Sequence, residues 1–371
     1  MNLPHLALVV GIGTTVIAAT TLWIGKSAAR FRAIARIATG LAFIVVVVGA
    51  FVRLTDAGLG CPDWPGCYGD LTPATAKPEI VAQEQANPFG PVTMAKAWKE
   101  MAHRYIATLL GTLIVALAIA AARTRAAASD RAKLAVALVA VVMLQGAFGA
   151  WTVTLLLKPA IVTGHLIGGM LTLSLLLLLS LSASPAPRLY TARIASLQPM
   201  ALSALAVVAC QIVLGGWVST NYAALACTDF PLCHGQVVPA MNFADAFHVL
   251  RPLGMNAQGE PLPFEALTAV HWTHRVFALL VIAVVGAFAW RLRIEPETRR
   301  LSLGLFVALG VQVLLGISNV LYSLPLPIAV AHNAGAAALL LLLVTVNYRV
   351  YACASAPMPQ AEVATPRAVR A

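Results

Sequence analysis

What most restricts this chain is the recurrence of apolar runs long enough to cross a bilayer. A helix needs about 20 predominantly apolar residues to span the hydrocarbon core. Such runs recur near residues 4–24, 33–53, 103–122, 134–157, 161–183, 197–219, 272–290, 301–322 and 327–351. Lipid offers a backbone no hydrogen-bond partners, so these runs must be helices whose bonds close internally. Only 11% of the residues are charged and 60% are hydrophobic, against about a quarter charged in a soluble domain. No single interior could hide that much apolar surface. This excludes a soluble enzyme, a disordered chain and a disulfide-held miniprotein, and the expected class is an all-α integral membrane protein surrounded by the lipid bilayer.

The formal net charge of +11 suggests nucleic-acid binding only until the charges are placed along the chain. Lys26, Arg30, Arg32 and Arg36 follow the first run. Arg123, Arg125, Arg131 and Lys133, then Arg188 and Arg193, then Arg291, Arg293, Arg299 and Arg300 occupy later short connections, and Arg349, Arg367 and Arg370 lie at the end. Basic short loops stay on the cytoplasmic side, so the surplus is a topology signal and no nucleic-acid partner is expected. The two long connections, about 54–101 and 220–271, hold most of the acids and are expected outside. The implied localisation is a bacterial cytoplasmic (inner) membrane, crossed many times, with a cytoplasmic C-terminus. No basic segment precedes the first run, so it reads as a retained extra helix rather than a cleaved signal. The Pro/Ala-rich tail from about Ala354 reads as disordered.

An internal repeat organises the rest. Val48-Gly-Ala-Phe-Val-Arg-Leu-Thr-Asp-Ala-Gly-Leu-Gly-Cys-Pro-Asp-Trp-Pro-Gly-Cys67 matches Leu214-Gly-Gly-Trp-Val-Ser-Thr-Asn-Tyr-Ala-Ala-Leu-Ala-Cys-Thr-Asp-Phe-Pro-Leu-Cys233, with Gly69 and Gly235 just beyond. His103-Arg104 then matches His274-Arg275, Gln145 and Gly149 match Gln312 and Gly316, and His165 and Gly168 match His332 and Gly335. So many features in one order at nearly one offset indicate two copies of a unit. Each copy has four helices, an even number, so both run in the same sense across the membrane. The expected architecture is two tandem four-helix transmembrane bundles: 1–32 an extra N-terminal helix and basic linker, 33–190 the first bundle, 191–353 the second, and 354–371 the tail.

Four of the histidines fall inside spans at repeated places: His103 and His165, His274 and His332. A lone intramembrane histidine is ordinarily a packing or hydrogen-bonding residue, but ionisable groups there mark function by default, and a two-by-two pattern strengthens that reading. Each pair starts two helices at similar depth, as two-histidine haem ligation requires; zinc would want more ligands. Arg104 and Arg275, next to a ligand at the water interface, suit haem propionates, or else are interfacial anchors. Glu100 stands three residues before His103 where His271 stands before His274, which suggests divergent sites, one for chemistry and one for electrons. The plainer reading of Glu100 is an acid in a first helical turn. Cys61/Cys67 and Cys227/Cys233 are close pairs in external loops, where an oxidising compartment makes local disulfides. Whether they serve redox chemistry or only pin the loops is open, with a four-cysteine zinc site a remote third. Cys210 and Cys353 read as free thiols.

The Gly-x-x-x-Arg-Leu-Thr-x-x-Gly-Leu stretch from Gly49 to Leu59, the Cys-Pro-Asp-Trp-Pro-x-Cys loop, Glu-x-x-His-Arg at Glu100–Arg104 and paired helices with single histidines closely resemble the haem A synthase family, over about residues 33–350. That family oxidises one ring methyl of haem O to a formyl group by successive hydroxylations, giving the haem A of aa3-type terminal oxidases. The resemblance implies that His103 and His165 ligate the substrate haem O in the first half, and that His274 and His332 hold the iron of a resident haem b in the second. It implies that Glu100 is the functional acid and that the cysteine pairs are the family's loop disulfides. Arg53 and Thr55, replaced by Ser219 and Asn221 in the second half, fit specialisation of the first. Two histidines on one iron leave no open position, so either one releases in turnover or the oxidant arises elsewhere.

The competing readings are a dihaem cytochrome b that passes electrons between quinol and a partner, and a transporter of parallel repeats, which would want broken helices at mid-membrane. Expected partners are haem O, the haem O synthase that could hand it over, an unidentified electron donor or acceptor, and a second copy in a possible homo-oligomer.

Overall fold

The computed structural model describes residues 3–25, 27–123, 130–184 and 192–354. Lys26, Arg125, Arg188, Arg367, Arg370 and the tail beyond Ala354 lie outside the described residues. The regular structure among the described residues is helical, with α-helices in the order α1 (Leu3–Ile24), α2 (Ala28–Leu54), α3 (Lys77–Ala86), α4 (Met94–Ala122), α5 (Asp130–Thr154), α6 (Pro159–Ser182), α7 (Ala192–Ala195), α8 (Gln198–Thr220), α9 (Phe243–Ala246), α10 (Phe264–Leu292), α11 (Arg299–Leu321) and α12 (Leu326–Ala354). Among the described residues eight helices are long and apolar enough to cross a membrane: α2, α4, α5, α6, the segment Arg193–Thr220 that contains α8, α10, α11 and α12. The first expected span is helical as well, and α1 packs on α4 and α2.

The helices outrun the apolar runs that announce them. The run at 103–122 belongs to a helix that begins at Met94, where the Thr93 side chain accepts from the Lys96 N–H at 3.2 Å and satisfies a donor the helix leaves unpaired. The run at 272–290 likewise sits in α10, which starts at Phe264. Apolarity marks the lipid layer, whereas α4 and α10 continue above it into the loop layer. The basic stretch expected to link α1 to the first bundle is mostly helix too, since α2 starts at Ala28. Conversely α5 stops at Thr154, short of the end of its run. Leu156 and Leu157 take positive φ, +52° and +56°, and the Leu157 N–H donates to the Thr152 carbonyl at 2.9 Å. Ser323 and Leu324 (φ +54° and +62°) make the same turn after α11, with Leu324 N–H on the Asn319 carbonyl at 2.7 Å. Left-handed backbone costs a non-glycine residue roughly 1–2 kcal/mol; here it buys two hairpins tight enough to set where α6 and α12 begin.

Helices α2, α4, α5 and α6 close a ring in which α2 and α5 each touch both α4 and α6; α8, α10, α11 and α12 close a second ring in the same way. The rings meet along α2, α6, α8 and α12. Each is densely packed away from the cysteine loops, around Ile114, Leu117, Leu173 and Leu176 in the first and Val285, Phe288, Leu305 and Leu343 in the second. The loops carry small cores of their own: Cys61, Cys67, Ile80, Ala97 and Met101 over the first ring, and Trp217, Ala246, Ala266 and Val270 over the second.

Candidate functional site

Between the deep core and the loop core lies a level that neither fills. No residue is fully buried between Met101 and Leu110 on α4, between Leu138 and Val153 on α5, or between Thr163 and Met170 on α6. The same holds between His271 and Val281 on α10, Leu309 and Val320 on α11, and Ala329 and Ala337 on α12. The four repeated histidines stand here. His103 on α4 and His165 on α6 come from diagonal helices, as do His274 on α10 and His332 on α12.

Each ring lies against a glycine of a neighbouring helix. A Cβ at Gly49 on α2 would stand 3.1 Å from His103 Cε1, and one at Gly215 on α8 3.1 Å from His274 Cε1. At Gly316 on α11 the distance to His332 Cε1 is also 3.1 Å, and at Gly149 on α5 it is 3.6 Å to His165 Cε1. These glycines were visible in the sequence as matched positions, yet nothing there showed that they touch the histidines. Gly168 and Gly335 play a related part, since a Cβ at either would collide with Gln145 or Gln312.

Several polar atoms at this level are left without partners. His103 Nδ1, His165 Nδ1, His332 Nδ1, Gln211 Oε1 and Gln312 Oε1 are buried and make no hydrogen bond, although buried polar groups are ordinarily paired. Gln211 is specific to the second ring: its Nε2 lies 3.2 Å from His274 Nδ1 and donates to the His274 carbonyl at 3.0 Å, while Val45 stands 166 residues earlier. The donors converge in pairs, and among the described residues no group of three or more His, Cys, Asp or Glu gathers.

The arginines beside the first histidine of each pair have work elsewhere. Arg104 donates to the carbonyls of Asp63 (2.9 Å) and Gly66 (2.5 Å) inside the Cys61–Cys67 disulfide loop, and pairs with Glu100 Oε1 at 2.5 Å. Arg275 donates to the carbonyls of Cys227 (2.7 Å), Asp229 (2.8 Å) and Leu232 (2.9 Å) around the Cys227–Cys233 disulfide, and its Nε lies 3.2 Å from His271 Nε2. Both guanidinium groups clamp a loop onto a helix. Glu100, 5% exposed, also accepts from the Cys61 N–H at 2.8 Å, and His271 Nδ1 accepts from the Cys227 N–H at 3.2 Å. The acid and the imidazole therefore hold the same place in two clamps, and only one of them brings a carboxylate.

Within the loops, Asp63 accepts from the N–H groups of Tyr68 and Gly69, both at 2.7 Å, and Asp229 from those of His234 (2.7 Å) and Gly235 (2.9 Å). Gly69 and Gly235 take φ of +80° and +71°, a conformation that favours glycine, which accounts for the glycine two residues after each second cysteine. The Gly235 and His234 amides hold the Asp229 carboxyl below its ordinary range. Cys210 is a free thiol on a groove of about 640 Å³ between α6, α8 and α12. Ser174, on the groove's α6 wall, is nine residues and so about half a revolution from His165, which places the groove on the far side of that helix.

Comparison with known proteins gives a consistent picture. Residues 32–344 match the model of the COX15-CtaA family, described as cytochrome oxidase assembly protein. The chain is 42% identical over 292 residues to a protein of Shewanella oneidensis named heme A synthase, covering 78% of this chain and 88% of that one. It is 28% identical over 264 residues to the heme A synthase of Halalkalibacterium halodurans (70% and 75% covered), and 27% identical over 302 residues to that of Symbiobacterium thermophilum (79% and 85%).

Proposed function

The chain belongs to the COX15-CtaA family, and on that premise we propose that it is a haem A synthase of a bacterial inner membrane, oxidising a ring methyl of haem O to a formyl group through successive hydroxylations. In this reading residues 33–190 hold the substrate between His103 and His165, and residues 191–353 hold a resident haem b between His274 and His332. The observation that carries it is the loosely packed level of each ring, where two imidazoles from diagonal helices face inward beside glycines and unpaired polar atoms. A haem held between two histidines would need just such donors and clearance. A haem b in the second ring would supply one-electron redox chemistry, with His274 and His332 as its ligands.

The chain's own residues then have distinct tasks. Gln211, within reach of His274 Nδ1, fixes the orientation of that imidazole, as outer partners of ligating histidines do. Glu100 is the acid–base group: one helical turn outside His103, it holds a carboxylate where the second ring has only an imidazole. Its pairing with Arg104 and the Cys61 N–H keeps it fixed while a proton moves at its oxygens. The disulfide loops cover both rings on the external side, the basic connections and the C-terminus face the cytoplasm, and water is kept from the reacting methyl. The repeat itself is supported by contacts between residues 166 apart, Arg53 with Ser219 and Asp56 with Tyr222.

The test is to produce the chain in cells that make haem O but no haem A, extract the membranes with acid–acetone, and separate the haems by chromatography and mass. A species of formyl mass or its hydroxymethyl precursor is expected. His274→Ala should remove the stable haem b signal, and His103→Ala should spare it and abolish product. Haem b alone, with haem O unchanged, would instead identify a dihaem cytochrome that only passes electrons.

A further inference from the structure

With Arg104 spent on the loop, two other cations stand at the outer end of the first ring. Lys99 precedes His103 by four residues on α4, so the two share a face. Its ammonium reaches across to α2, 5.4 Å from the centre of the Phe51 ring, and none of the ion pairs among the described residues involves it. Arg53 follows Gly49, the glycine against His103, by four residues on α2 and so shares its face. Its side chain is 16% exposed, and the guanidinium lies 3.9 Å from the centre of the Tyr222 ring, donates to the Ser219 carbonyl at 2.6 Å, and has only the exposed Asp56 at 3.5 Å as a counter-charge. Lys99 therefore stands at the α2–α4 seam and Arg53 where α2 meets the end of α8, their backbone positions one turn, about 5.4 Å, beyond His103 and Gly49. The matching places in the second half are Ser219 and Val270, 166 and 171 residues on, and neither carries charge.

We propose that Lys99 and Arg53 form a carboxylate-binding pair peculiar to the first ring, which anchors the acidic edge of the substrate porphyrin and so decides which ring methyl is presented for oxidation. The proposal rests on the haem O reading of that ring. A porphyrin core is nearly four-fold symmetric, and ligation at its iron leaves it free to turn in its own plane. Its two carboxylates leave from one edge. Fixing that edge with charge-assisted hydrogen bonds, which are short and about twice as strong as neutral ones, removes the in-plane turns and leaves the choice of face to the long apolar tail. The second ring, which needs only to hold a haem and not to orient one methyl, manages without such a pair.

The test uses the full-length protein, purified with haem b in its second ring and titrated with iron protoporphyrin IX and separately with its dimethyl ester. Lys99→Gln and Arg53→Gln should each weaken binding of the diacid about tenfold, within the range for hydrogen bonds to charged groups, and change binding of the ester less than twofold. Lys99→Arg should restore the diacid. Haem O turned over by Lys99→Gln should yield more than one positional isomer of the hydroxymethyl product. Equal weakening of diacid and ester would mean a merely structural role and would overturn the proposal, as would an unchanged diacid affinity in both variants. An unaltered haem b band in Lys99→Gln shows that the fold is kept. Failure of the unmodified chain to form any oxidised haem would count against the synthase reading, while the diacid-to-ester ratio would still decide the cation pair.

Discussion

A methyl group added at one of the histidine-facing glycines tests the site at the finest grain. At Gly215 it would stand 3.1 Å from His274 Cε1, so the imidazole would have to yield by a few tenths of an ångström, and overpacking of that kind costs about 1–3 kcal/mol. Gly215→Ala should therefore purify with less haem b per chain, and Gly49→Ala should retain substrate poorly. Gly149→Ala, where the contact is an ordinary 3.6 Å, should resemble the parent. Equal haem content in Gly215→Ala and the parent would remove the glycines from the account. Asp229 tests the loop above. Its carboxyl is held low by the Gly235 amide first and the His234 amide with it, so it supports the turn when ionised. That support is complete well above the ordinary carboxylate value of about 4 and disappears as pH falls through the lowered value. Hydrogen exchange at the His234 and Gly235 amides, corrected for intrinsic rate, should show constant protection from about pH 7 to 5 and loss only in stronger acid. At this scale the histidines were legible because an ionisable group in an apolar run is conspicuous. Their glycines were not, since a missing side chain says nothing of what fills the space. Spacing does not say whether the guanidinium of Arg104 or Arg275 turns to a porphyrin or to the loop, and only the loop contacts are visible in the structure.

Helix α4 joins two layers, with His103 among the partly buried residues and Glu100, Arg104 and the N-cap in the loop layer. Its clamp differs from that of α10 in one charge, and the difference has a measurable size. Arg104→Ala strands a carboxylate only 5% exposed, and breaking a buried ion pair from one side costs about 3–5 kcal/mol. Arg275→Ala leaves an imidazole, which loses hydrogen bonds worth about 1–3 kcal/mol. Thermal unfolding in detergent should therefore rank the first variant clearly below the second, and the reverse order would show that Glu100 is not held by Arg104. The apolar runs located α4 and α10 but not their first nine or so residues. Those turns are held by a cap and a packed loop, which leave no hydropathy signal.

Across the whole molecule, the rings are joined by contacts buried at the cysteine-loop end, where Thr163 and Thr220, 5% and 4% exposed, share a hydrogen bond at 3.1 Å, and by Tyr348 on the Leu181 carbonyl at the other end. Thr220→Val strands the Thr163 hydroxyl and should cost about 1–2 kcal/mol, whereas Thr163→Val leaves the Thr220 hydroxyl the Trp217 carbonyl at 3.4 Å and should cost less; the double variant should cost less than the sum, and strict additivity in thermal unfolding would show that the pair does not bridge the rings. The two-bundle architecture followed from counting spans and matching motifs, while this seam was beyond reach of the sequence because no pattern distinguishes a helix facing lipid from one facing another bundle. The seam has one more consequence. Residues 166 apart that touch are in the position of two identical chains meeting across a two-fold axis, where each residue faces its own counterpart. A half-length gene product with this fold would thus pair with itself through the same surface, and fusing two such genes would need no new interface. Arg53 on the Ser219 carbonyl sets a single cation at this seam, where a symmetric pair would have set two against each other.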